Sequence, residues 1–346
     1  MKVARFHAPG DIRLEDAPEP EPGPGELKIR VRNCSTCGTD VKISRFGHHH
    51  IVPPRVMGHE IAGEVVAAGD GTAGWAPGDR VQVIAAIPCG SCAECSRGRM
   101  TVCSRQESMG YHYDGGFAEY MTVPAKVLAV DGVHRIPEGV SFAEASVAEP
   151  LACVLNGQEL ARVGAGDDVV VFGSGPIGCL HVRVARARGA GRVFLVELNR
   201  DRLGRAAELV KPDAAILAGE TDPVEAVKDL TGGRGADVVI TAAAAHAPQT
   251  QAQWMAAPGG RISFFGGLPK DDPVISCDSN QVHYRELTIV GANGSSPAHN
   301  ARALELIGSA EVPVQDLVTH RVPLADVHRA LDLVARGEAI KVTVEP

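Results

Sequence analysis

Residues 168–178 restrict the possible folds of this chain more than any other stretch. Asp168–Phe172 is a short apolar run without polar alternation, the pattern of a strand buried on both faces of a parallel sheet. It enters Gly173-Ser174-Gly175-Pro176-Ile177-Gly178, and a helix-compatible stretch follows through Ala190. A G-x-G-x-x-G between strand and helix lets the backbone turn tightly and approach a pyrophosphate, whose charge then sits at the helix N-terminus. A second apolar strand, Val193–Val196, ends in Glu197, 19 residues past Gly178. An acidic group at that place takes the hydroxyls of an adenosine ribose and repels a 2′-phosphate, so NAD is expected rather than NADP. Arg200 and Arg202 lie close by and are read as flanking the adenine or facing solvent. The alternation continues with helices near 200–210, 222–230 and 248–257 and strands at Ala214–Leu217, Asp237–Thr241, Arg261–Phe265 and Leu287–Val290. Strands alternating with helices mean a doubly wound parallel sheet, an α/β fold.

That unit leaves more than half of the chain unaccounted for, and 346 residues exceed one ordinary core. The first part has a different texture. Leu27–Val31 alternates apolar and charged residues, Ile61–Ala68 and Arg80–Ile84 are further strand-like runs, and strand-like sequence is expected to continue to Ala148. Pro18–Gly25 is too proline-rich for helix or central strand. From about 291 the chain offers a helix at Asn300–Gly308, a strand at Val318–Val322 and a helix at Leu324–Ala335, which are expected to rejoin the β-rich part. A net charge of −8 gives no basic footprint for nucleic acid or anionic membrane. No stretch has the length of a membrane span, and MKVARFHAPGD lacks the apolar core of a secretory signal. The cytoplasm is therefore expected, where the nine cysteines serve as ligands or core residues rather than disulfides.

Cys89-x-x-Cys92-x-x-Cys95 followed by Cys103 is the most specific local signal. Four thiolates within fifteen residues can close a tetrahedron around Zn²⁺ and leave no position for substrate, which marks a structural site. An iron–sulfur cluster also takes four cysteines and is the alternative. Cys37, His59 and Glu60 offer a thiolate, an imidazole and a carboxylate, a set able to hold Zn²⁺ with one position open. Consecutive His59 and Glu60 can reach one ion only from a turn, which Gly58 permits. Cys34 reads as a buried strand cysteine rather than half of a Cys34-x-x-Cys37 redox pair. His48-His49-His50 reads as a solvated loop whose three rings diverge.

Cys37-Gly38-Thr39-Asp40, Gly58-His59-Glu60, the four-cysteine lobe, Glu149-Pro150-Leu151 and the GSGPIG loop, in this order, resemble the zinc-containing medium-chain dehydrogenase/reductase family. The likeness is nearest to its polyol branch of sorbitol (iditol), sugar and threonine dehydrogenases. It implies a GroES-like β-rich catalytic domain at 1–154, a Rossmann NAD-binding domain at 155–290 and a return to the first domain over 291–346. It implies two zinc ions per chain, with Cys37, His59, Glu60 and Glu149 at the catalytic one and Cys89, Cys92, Cys95 and Cys103 at the structural one. The cofactor loop would be Gly173, Gly175, Pro176, Ile177 and Gly178, with Glu197 and Arg202 at the ribose end. The activity implied is hydride transfer from the secondary hydroxyl of a polyol, sugar or cyclitol to NAD, or alternatively from an amino alcohol such as L-threonine. A non-catalytic dinucleotide-binding relative is the rival from another class. Thr39 resembles the hydroxyl that accepts the substrate proton. Lys42 departs from the family, which commonly has a proton-relaying histidine there; a lysine, ordinarily charged at neutral pH, suits a fixed donor to the cofactor ribose better. Gly291-Ala292-Asn293-Gly294-Ser295 is smaller than its counterpart in sorbitol-type relatives, which speaks against sorbitol itself. A homodimer or homotetramer is expected.

Overall fold

The computed structural model describes all 346 residues, which form two compact units: Met1–Ala152 with Gly294–Pro346, and Cys153–Asn293. No helix is long and apolar enough to cross a membrane.

The unit 153–293 is built on a six-stranded parallel sheet. Its order is Ala214–Leu217, Arg192–Glu197, Asp168–Phe172, Ala236–Thr241, Ala256–Phe264, Thr288–Gly291. Val169, Val170 and Val171 are wholly buried, as the unbroken apolar run requires. Each such side chain contributes about 1.5–3 kcal/mol when removed from water. Asn199 caps the helix Arg200–Val210 by accepting from the Arg202 N–H, and Asp222 caps Pro223–Leu230 through the Val224 N–H. Chain order reverses on either side of Asp168–Phe172, so a crevice opens at the carboxyl ends of that strand and Ala236–Thr241.

The other unit is organised by the strand Leu27–Ser35. It pairs antiparallel with Glu60–Ala68, with Tyr120–Val123 and with the C-terminal strand Lys341–Glu345. Ser35 lies opposite both Glu60 and Thr343. Two residues after Ser35 the chain reaches Cys37, and His59 immediately precedes the partner strand, so antiparallel pairing alone brings these residues to one end of the sheet.

Two expectations need correction. Residues 124–148 are not continuously strand-like: only Val133–Arg135 is a strand, and the helices Ala125–Leu128 and Phe142–Ser146 stand on either side. Glu149-Pro150-Leu151 opens the helix Ala148–Leu160, where Pro150 is tolerated because first-turn N–H groups have no helical partner. The strand Lys341–Glu345, absent from the sequence reading, is almost wholly buried and joins Leu27–Ser35 to the edge strand Val318–Pro323.

Candidate active site

Cys37 is the N-cap of the helix Gly38–Phe46. Its sulfur accepts from the Thr39 N–H at 3.4 Å while the Asp40 carboxylate accepts from the Cys37 N–H at 2.8 Å, a reciprocal capping box. The sulfur therefore sits where the helix dipole favours negative charge. Gly58, at φ +88°, turns the chain before His59; a Cβ there would lie 2.7 Å from Cys34 Sγ and 2.8 Å from Phe117. The ligating atoms of Cys37, His59 and Glu60 all fall within 4.8 Å of one another.

Behind each buried ligand stands a second charge. His59 Nδ1 faces Asp40 Oδ1 at 3.4 Å, at ion-pair distance but without hydrogen-bond geometry, which leaves Nε2 for the interior of the cluster. Burial opposes charge on His59, yet the Asp40 carboxylate outweighs it and holds the imidazole well above its ordinary range. Glu60 forms a close, fully buried ion pair with Lys341, whose ammonium also donates to Thr36 O at 2.9 Å. Burial pushes Glu60 up to about 7 against the pull of Lys341 and His59, and nearby Glu149 adds to the rise. Lys341 is held above its usual value because Glu60 more than offsets the burial. A half-buried thiol beside a buried imidazole and a buried carboxylate, their ligating atoms all within 4.8 Å of one another, is a donor set that a cation would satisfy.

Glu149 is buried and electrostatically coupled to Glu60, Lys341 and Tyr111, but lies outside the three-residue cluster. The Thr39 hydroxyl is 3.5 Å from Cys37 Sγ. Lys42 is on the exposed face of its helix. The histidine triplet departs from expectation. The rings of His48 and His49 stack at 4.5 Å, those of His49 and His50 lie 4.0 Å apart, and His50 reaches His112 at 4.9 Å. Adjacent side chains converge here because the loop turns sharply at His49 and His50.

The four lobe cysteines are reduced and close together, with Sγ separations of 3.5 Å (Cys92–Cys95), 3.8 Å (Cys92–Cys103) and 4.0 Å (Cys89–Cys95). A tetrahedral Zn²⁺ with bonds of about 2.3 Å requires sulfurs about 3.8 Å apart. Backbone N–H groups of Cys89, Cys92 and Arg105 and the Arg105 guanidinium donate to these sulfurs at 3.3–3.4 Å. Such donors, the Ser91 N–H foremost, hold the Cys89 thiol down at about 5. Burial and neighbouring thiols push Cys95 up to about 12.

In the other unit, the glycine loop is as tight as its sequence demands. A Cβ on Gly178 would lie 1.7 Å from Gly173 O, and Gly173 itself has φ +96°. The helix Pro176–Ala187 has Gly175 as N-cap, with no side chain bonded to its end and Pro176 in its first turn. Glu197 Oε2 accepts from Ser174 N at 3.0 Å and Ser174 Oγ at 2.8 Å, so the acid also braces the loop. Arg202 lies 3.5 Å from Glu197 and close over Gly175, whereas Arg200 is engaged with Glu220. A narrow backbone cradle, an open helix end and an acid at the ribose position fit a dinucleotide.

Comparison with known proteins agrees in both units. Residues 23–137 match the alcohol dehydrogenase GroES-like domain, and residues 176–309 match the zinc-binding dehydrogenase domain. The chain is 34% identical to the sorbitol dehydrogenase of Halalkalibacterium halodurans over 98% of its own length and 97% of that protein's.

This chain belongs to the zinc-containing medium-chain dehydrogenase/reductase family.

It is also 33% identical to the L-threonine 3-dehydrogenase of Bacillus licheniformis, covering 92% of this chain and 90% of that one. A Sinorhizobium meliloti protein described as a zinc-binding dehydrogenase, solved with NADP, superposes with a TM-score of 0.92 at 32% identity over 100% of this chain and 99% of that one. This dehydrogenase thus acts on small-molecule alcohols with zinc and a nicotinamide dinucleotide as cofactors. When bound, zinc supplies Lewis acidity to an alcohol oxygen and the nicotinamide takes hydride from its carbon. Asp40 orients the His59 ring, and Lys341 compensates the buried charge of Glu60. Sequence reasoning missed both Lys341 and Tyr111. Lys341 carries no local signal. Tyr111 could have been noticed only as an aromatic residue shortly before Gly115-Gly116.

Proposed function

We propose that this dehydrogenase oxidises a secondary hydroxyl of a polyol, sugar or cyclitol with NAD. Cys37, His59 and Glu60 hold the catalytic zinc, with Glu149 available to exchange for Glu60, and Cys89, Cys92, Cys95 and Cys103 hold a second, structural ion. The observation that carries this reading is the convergence of Cys37, His59 and Glu60 within 4.8 Å, with Glu149 coupled to Glu60. A thiolate and a carboxylate, with a second carboxylate close by, offset more of a divalent charge than neutral ligands would. Such a centre gains from a substrate that presents further neutral hydroxyl oxygens. Thr39, beside the ligating sulfur, accepts the substrate proton, and Lys42 donates to the cofactor rather than relaying that proton.

The identity to an L-threonine 3-dehydrogenase favours an amino alcohol as the second reading. One assay separates the two: NADH formation over a panel of acyclic polyols, cyclitols, aldoses and L-threonine, with and without chelator. Oxidation of L-threonine alone, or turnover that survives loss of zinc, overturns the proposal. Four cysteines gathered in one lobe at metal-ligand spacing support a reducing compartment such as the cytoplasm, where thiols serve as ligands. The exposed edge of the sheet at Thr288–Gly291 supports a homo-oligomer built by sheet extension across a two-fold axis.

A further inference from the structure

The inner faces of the metal-ligand cluster are occupied by groups that hold it: Asp40 behind His59, Lys341 behind Glu60, Thr36 behind Lys341. Tyr111 also stands at the cluster and does none of this work. Its ring centre is 5.9 Å from that of His59, and its phenol lies in the electrostatic field of His59, Asp40, Cys37 and Glu149. A phenol is a neutral O–H at neutral pH, able both to donate and to accept. His48 braces the ring from outside, edge-on at 5.0 Å and 85°.

From His48 an imidazole array leads outward through His49 and His50 to His112. His48 Nδ1 accepts from the His50 N–H at 3.3 Å, and His112 Nδ1 accepts from the Ser108 N–H at 3.1 Å. Both rings are thereby set with Nε2–H as a free donor direction. Burial and neighbouring imidazoles hold His48 and His112 below the ordinary histidine range, which keeps them uncharged. The cations nearest His112 are already paired, Arg55 with Asp114 at 3.1 Å and Lys126 with Glu107 at 2.8 Å. The array therefore offers O–H and N–H donors beside cations that are already paired, which matches hydroxyl groups rather than a carboxylate or phosphate.

We propose that Tyr111, braced by His48, determines substrate specificity. Its phenol hydrogen-bonds a second hydroxyl of the substrate held at the Cys37–His59–Glu60 centre, and His48, His50 and His112 extend the subsite for further hydroxyls of an uncharged polyol or cyclitol. This rests on the polyol reading above and adds to it the residues that select for several hydroxyls.

The test compares zinc-loaded wild type, Tyr111→Phe and His48→Ala on a polyol turned over by the wild type and on cyclohexanol, which has one hydroxyl. Zinc content and NAD affinity are measured alongside. Tyr111→Phe is expected to lower kcat/KM for the polyol by about 10- to 100-fold and to change it for cyclohexanol by less than about twofold. His48→Ala should shift the same ratio in the same direction by a smaller factor, mainly through KM. Equal losses on both substrates assign Tyr111 a general structural role and overturn the inference. Unchanged polyol kinetics in Tyr111→Phe overturn it as well, while leaving the polyol reading intact. A wild type that oxidises no polyol overturns that reading and this inference together.

Discussion

Replacing Lys341 with Met is the sharpest probe of how this site is held, because it removes one charge of a buried pair and keeps the volume. Lys341 is 2% exposed and Glu60 1%. Breaking such a pair typically costs about 3–5 kcal/mol, since the remaining charge is left without solvent or partner. The raised pKa of Glu60 shows that its charge is costly even in the intact pair. Even with Lys341 present, its pKa rises from 4.5 to about 7, and at 1.36 kcal/mol per unit the fold pays about 3 kcal/mol to keep it ionised. The sign follows from that direction. A carboxyl with a raised folded pKa favours the folded state below its unfolded pKa, and this advantage is lost as pH rises through about 7. Without Lys341 the pKa rises further, so the deficit of the variant is largest near pH 8 and narrows towards pH 5, where Glu60 is protonated and needs no partner. The measurement is urea unfolding of chelator-dialysed protein, so that no ion shares the Glu60 charge. A Trp254→Phe background leaves Trp75, in the unit of Lys341, as the sole tryptophan reporter. With a urea slope of about 2 kcal/mol/M, a loss of about 3 kcal/mol moves the midpoint by about 1.5 M at pH 8. In a Glu60→Gln background the same substitution should cost far less. A midpoint shift below about 0.5 M at pH 8, or an equal shift with Gln at position 60, would refute the assignment of that energy to this pair.

Metal analysis should find two zinc ions per chain; Cys95→Ser should lose one together with folding of the lobe, and His59→Ala should lose the other while the fold and NAD affinity persist. One ion in the wild type, or iron in the lobe, contradicts the assignment. Gly178→Ala should abolish dinucleotide binding by calorimetry, because its Cβ would clash with Gly173 O; affinity within a factor of about three of wild type would show that the loop is not so constrained. Glu197→Ala should weaken NAD and narrow the discrimination against NADP, with Arg202 then free to meet a 2′-phosphate; a wild type that prefers NADP rules out this role for Glu197. Lys42→Met should weaken NAD binding and leave the shape of the pH–rate profile unchanged, whereas loss of a proton-transfer limb at constant affinity would make Lys42 the relay.

Features encoded at short range are legible in the chain without its fold. The unbroken apolar run 168–172, the glycines after it and Glu197 specify a strand, a turn only glycine can make and an acid at the end of the next strand, each within one βαβ unit. Four cysteines in fifteen residues can reach one ion whatever surrounds them, and Gly58 marks the turn that lets His59 and Glu60 face the same way. The remaining contacts arise from long-range pairing. Lys341 reaches Glu60 only because the last strand pairs with Leu27–Ser35, and that pairing is driven by burial of Val342 and Val344, which says nothing local about a lysine between them and the site. The contact of Asp40 with His59 and of Tyr111 with both His59 and His48 likewise joins separate segments of the chain. The histidine triplet shows the limit most plainly: an extended chain separates neighbouring rings, but a loop that turns at His49–His50 stacks them and carries them to His112. Spacing fixes which atoms can meet along one segment. Which segments meet is set by the cooperative burial of the sheet, and the chemistry of this site depends on both.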